Sequence, residues 1–103
     1  MGTLTYDSTF ATEFDDRVLS HLQLVIGAKL RRGESFHFGW KDEATTGGGR
    51  TIIWLHPTVP LVYTFESDGI PSINRRWIDA LMETANGPAG LQLISEPVQP
   101  AAP

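Results

Sequence analysis

Between Asp15 and Gly33 the chain reads DDRVLSHLQLVIGAKLRRG, with Val18, Leu22, Val25 and Ile26 recurring at intervals of three and four. That spacing gathers apolar side chains on one stripe of a helix and lets Arg17, His21 and Lys29 point elsewhere. Both ends carry boundary signals. Asp15 can cap the start and Asp16 suits the positive end of the helix dipole. Lys29, Arg31 and Arg32 suit the negative end, and Gly33 can take the left-handed conformation that stops a helix. A stripe of this kind must be buried against another layer, and the alternating segments on either side supply it.

Upstream, TLTY and TFATEF alternate and are rich in Thr and aromatics, which predicts an opening hairpin turning at Asp7 and Ser8. Downstream, SFHFGWK puts Phe36, Phe38 and Trp40 on one side and His37, Gly39 and Lys41 on the other. RTIIWLH, ended by Pro57, and LVYTFES, set off by Pro60, read as two more strands. SINRRWIDALMETANG then places Ile73, Trp77 and Leu81 on a helical stripe, with Ile78, Met82 and Ala85 one position round. Ser72 can cap that helix, and Gly87 and Pro88 finish it. GLQLIS is a short last strand. The fold class expected is α+β, a mainly antiparallel sheet with two helices packed on one face, in the order ββαβββαβ. Residues 1–95 form the one domain, and the proline-rich 96–103 read as a disordered tail.

Composition narrows the function. In 103 residues no apolar run approaches the roughly 18–20 needed to cross a bilayer, and the start lacks the pattern of a secretory leader. Without cysteine there is no disulfide, thiolate zinc site or cysteine nucleophile, and a cytoplasmic location is expected. A formal net charge of −4 opposes long-range attraction to nucleic acid.

The glycines of TTGGGRTIIW lead into a strand rather than a helix, and Arg50 stands where a Walker loop needs Lys. The run reads as a hairpin tip, with a looser anion nest around Arg50 as the functional alternative. In the hairpin itself, Trp40 opposite Thr51 would align Phe38 with Ile53 and Phe36 with Leu55. His37, Lys41, Arg50, Ile52, Trp54 and His56 would then share a basic and aromatic face suited to stacking on bases or to a peptide groove. A slip of one residue would send Ile52 and Trp54 to the core instead. The period-two pattern leaves both registers open, and the ordinary expectation is that Trp54 is covered by a helix or by the opening hairpin.

Arg75 and Arg76 in NRRW either belong to an ordinary solvated helix face, with Arg75 paired to Asp79, or add to a phosphate-binding rim. His21, His37 and His56 lack the spacing of a local metal pair. Asp15 and Asp16 read as caps, Asp42 and Glu43 as loop solvation, and Asp79 and Glu83 as an exposed helix face. No catalytic residue, metal or cofactor is expected.

The combination of DDRVLSHLQLVIGAKLRRGESFHFGWKDE, GGGRTIIWLHP, NRRWIDALMETAN and GLQLISEP resembles a group of small actinobacterial proteins of about this length. The resemblance spans nearly the whole chain except the tail. Members of that group are labelled as ATP-dependent DNA ligases or as domains of unknown function. Ligases of that kind attach AMP to the lysine of a Lys-x-Asp-Gly motif. The two lysines here stand in KLRR (Lys29) and KDEA (Lys41), and neither context supplies that motif. The resemblance therefore implies a fold family rather than a reaction. The function expected is a non-catalytic binding domain that engages a macromolecule, a protein for instance, through an outer sheet face or edge. Homodimerisation through an uncovered edge and a nucleic-acid-binding or DNA-repair accessory role are further expectations.

Overall fold

The computed structural model describes residues 1–42 and 47–98. β1 (Gly2–Tyr6) and β2 (Phe10–Phe14) form the opening hairpin, with Leu4 opposite Thr12. Asp7 and Ser8 sit at φ +51° and +58°, and Thr9 N–H returns to Tyr6 O at 3.1 Å. Two successive left-handed residues give the turn a twist that matches its strands.

Helix α1 (Asp16–Arg31) buries Leu19, Leu22, Val25 and Ile26. Asp15 occupies the cap position, but its side chain makes no capping bond. The carboxylate of Asp16 instead accepts the backbone N–H groups of Glu66 and Ser67, at 3.2 and 2.9 Å, which anchors the helix start to a later loop. Those bonds hold the Asp16 carboxyl below its ordinary pKa. At the other end Gly33 N–H reaches Leu30 O and Glu34 N–H reaches Lys29 O, the paired bonds that close a helix around a left-handed residue.

β3 (Phe36–Lys41) and β4 (Arg50–Leu55) pair antiparallel with Phe36 opposite Leu55, Phe38 opposite Ile53 and Trp40 opposite Thr51. This is the first of the two registers considered above. Gly47 and Gly48 both take positive φ in the connecting tip, as the glycine run suggests, while Glu43 lies outside the described residues. Helix α2 (Arg75–Ala85) starts later than expected. Its cap is Asn74, whose Oδ1 accepts from Arg76 N and Trp77 N, rather than Ser72. Trp77, Leu81 and Ala85 form its buried stripe.

Class and element order are those expected, but the strands divide between two sheets of three, ordered β2-β1-β5 and β4-β3-β6. The turn His56–Pro60 explains the division. A meander would lay β5 (Leu61–Thr64) beside β4; instead Pro60 O accepts Asp7 N–H at 2.9 Å and β5 runs antiparallel to β1. The short β6 (Leu91–Gln92) pairs parallel with β3 on its other side.

One core joins the layers. Leu4 and Phe14 of the first sheet share this core with the buried faces of α1 and α2 and with the inward side of the second sheet, where Phe36, Phe38, Trp40, Leu55 and Leu91 are buried. The Phe14 ring meets Trp40 edge-on at 5.5 Å, an arrangement favoured by the ring quadrupoles.

Behind the core, Arg17 grips Glu96 through two guanidinium bonds of 2.8 and 2.6 Å, and Asn74 Nδ2 donates to Glu96 and to Pro97 O. Glu96 to Val98 of the segment read as a tail thus lie against the helices, and 99–103 are outside the described residues. Buried His21 completes the knot. Its Nε2 accepts Asn74 N–H at 2.9 Å, which places the ring proton on Nδ1, 2.7 Å from Arg17 O. Among the described residues no helix is long and apolar enough to cross a membrane.

Candidate binding face on the second sheet

Because side chains alternate along a strand, burying Phe36, Phe38 and Trp40 turns His37, Gly39 and Lys41 outward, opposite Trp54, Ile52 and Arg50. The consequence for β4 is a correction: Trp54 is not covered. It is 47% exposed and Ile52 is 49% exposed, whereas Trp40 is 8% exposed. The His37 and Trp54 rings meet at 4.8 Å in a T-shaped pair that holds the indole against the sheet.

Gly39 makes the face concave. A Cβ there would stand 3.2 Å from Ile52 Cγ1, so the bare glycine lets Ile52 lean across the strand. A depression of about 390 Å³ results, walled by Lys41, Arg50, Ile52 and Gln92. A second cleft of about 290 Å³ lies on the far side of Trp54 and His37, bounded by Glu34, Asn86 and Pro88. Gly90 fixes that wall: it takes φ +81°, and a Cβ there would lie 2.4 Å from His37 O. Only glycine fits so close to the β3 backbone.

Lys29 borders the second cleft and is 3% exposed. Its ammonium donates to Glu34 Oε1 at 2.9 Å and Asn86 Oδ1 at 2.8 Å, tying the end of α1 to the end of α2. The lysine holds the Glu34 carboxyl below its ordinary pKa. Its role is structural, since both partners are fixed protein groups.

The seven residues singled out from the sequence separate into three sets. His37, Lys41, Arg50 and Trp54 share the outer face, with Lys41 directly opposite Arg50. His56 lies one residue past β4 and its Nδ1 is 2.9 Å from Thr58 Oγ1 in the following turn. Arg75 and Arg76 are not brought to the face. They start α2, which packs on the buried side of the sheet, and Arg76 reaches Val98 O at 3.5 Å. The expected Arg75–Asp79 ion pair is not among those formed by the described residues. Gln92 was not singled out. The alternation in GLQLIS could have marked its direction but not its pairing with β3. Among the described residues no three His, Asp or Glu side chains converge on one point.

A family model described as Domain of unknown function (DUF7882) matches residues 1–96. The chain belongs to that family. No curated protein and no solved structure matches it. The DUF7882 match takes in both helices and all six strands of the described residues, the outward-facing residues of β3 and β4 included, and ends at Glu96, the residue that Arg17 and Asn74 hold.

Proposed function

We propose that this DUF7882 domain is a non-catalytic cytoplasmic binding module whose second sheet receives an extended protein segment carrying a bulky apolar side chain beside carboxylates. The carrying observation is the joint exposure of Trp54 and Ile52 around the Gly39 depression, on a sheet whose other side buries Phe36, Phe38, Trp40 and Leu55. Large aromatics with apolar neighbours and a polar rim supply most of the energy at protein interfaces. Lys41 and Arg50, side by side at one end, favour acidic residues in the segment and would be poorly placed against a basic one.

Charge favours protein over nucleic acid. The chain carries −4 overall, and the arginines of α2 lie behind the sheet, leaving Lys41 and Arg50 as the cations of the face. Two phosphate contacts give little affinity at physiological salt.

Panning a random peptide library against the wild-type domain and against Trp54→Ala tests this reading. The expected result is enrichment of peptides with a bulky apolar residue next to Asp or Glu, lost with Trp54→Ala and weakened by Arg50→Ala. Salt-sensitive binding of labelled single-stranded DNA with no peptide enrichment would overturn it in favour of nucleic acid.

A further inference from the structure

The departure of β5 to the first sheet leaves β4 as an open edge six residues long, against five for β2, four for β5 and two for β6. Its backbone polarity is fixed by three bonds. Asp42 N–H donates to Gly49 O at 2.7 Å, so Asp42 and Gly49 form a hydrogen-bonded pair of the antiparallel ladder. Such pairs alternate with non-bonded ones, so the N–H and C=O groups of Arg50, Ile52 and Trp54 point away from β3. Two contacts agree: Gly39 O, opposite Ile52, turns to Leu93 N–H on the β6 side, and Trp54 O is reached by the Tyr6 hydroxyl at 2.7 Å.

We propose that a second copy of this chain pairs with that edge, antiparallel and centred on Ile52. Parity restricts an antiparallel partner to registers in which outward-pointing residues face one another. Centring on Ile52 puts Ile52 opposite Ile52 of the second copy and Arg50 opposite the second copy's Trp54, all on the outer face. Arg50 then faces an indole rather than only the like charge of Lys41, which lies across from it within the chain. Exposed apolar side chains meet at the centre, where Ile52 exchanges both backbone bonds. Tyr6 already donates to Trp54 O, so the rows on either side keep the bond from Trp54 N–H to Arg50 O. The product is a continuous sheet of six strands with two Gly39 depressions on one face, and its closed two-fold symmetry prevents further growth through β4. This goes beyond the binding reading, because self-association is measured without any other partner.

The chain has no cysteine, so a single introduced one reports the register. Directly opposed residues of a hydrogen-bonded pair have Cα atoms about 5.5 Å apart, within disulfide range. In Ile52→Cys, mild oxidation is expected to give a covalent dimer rapidly, while Val62→Cys on the β5 edge, equally exposed, stays monomeric. Light scattering of the wild type should show a concentration-dependent dimer. Ile52→Lys, which sets two ammonium groups face to face, should weaken that dimer by roughly tenfold or more with an unchanged circular dichroism spectrum. A monomeric wild type at millimolar concentration, or a dimer that cross-links through Val62→Cys and not Ile52→Cys, would overturn the proposal.

Discussion

At Gly90 a single hydrogen atom decides the shape of the binding face. Any side chain there would have to displace His37 O, 2.4 Å from the Cβ position, and to adopt φ +81°. Gly90→Ala is therefore expected to cost at least about 1 kcal/mol, read as a lower urea midpoint, and to loosen the His37–Trp54 pair, read as altered Trp54 fluorescence. Trp54 itself shows why this site was only half legible. Both sides of TIIWL are apolar, Thr51, Ile53 and Leu55 on one and Ile52 and Trp54 on the other, so alternation names the two faces without saying which is buried. Burial was decided by the partner strand, where Phe36, Phe38 and Trp40 outweigh His37, Gly39 and Lys41. Exposure of Trp54 is the residue left over from that contest.

Among the elements, α1 could be read from its sequence because its stripe, both ends and the glycine behind it agree. The start of α2 could not, since Ser72 and Asn74 are both good capping residues two positions apart. Asn74 wins through contacts distant in sequence: it is buried, its Oδ1 caps the helix, its Nδ2 holds Glu96 and its N–H is taken by His21. Asn74→Ala should lower stability by about 0.5–2 kcal/mol for the cap alone, and more with the orphaned strap, whereas Ser72→Ala should leave the urea midpoint within error. The pairings of β5 with β1 and of β6 with β3 were equally out of reach. Each is a choice of an edge on a strand remote in sequence, and local periodicity carries no information about which edge is chosen.

For the molecule as a whole, the pinned carboxylates set an acid limit. Arg17 and then Asn74 hold Glu96 down to a pKa of about 2, and Asp16 and Glu34 are lowered as well. A depressed carboxyl stabilises the fold above its unfolded pKa and loses that contribution as pH falls through the folded value. Stability should thus decline from the ordinary glutamate value of 4.5 towards pH 2, and Glu96→Gln should flatten that decline in urea midpoints. Tyr63 sets the opposite limit. Burial pushes its phenol up to about 12, so the fold loses stability as pH rises from 10 towards 12, a loss that Tyr63→Phe should remove.

The clasp between Arg17 and Glu96 also has a meaning in time. Its two halves are 79 positions apart, so during synthesis at about 5–20 residues per second the first helix waits roughly 4–16 s for the carboxylate that locks its opening turn. β1 likewise waits for β5, which follows most of the chain. Until then the opening hairpin and α1 expose Leu4, Phe14, Leu19 and Leu22 to the cell. A nascent chain of this design keeps that apolar surface uncovered until the strand and the clasp that close over it have emerged.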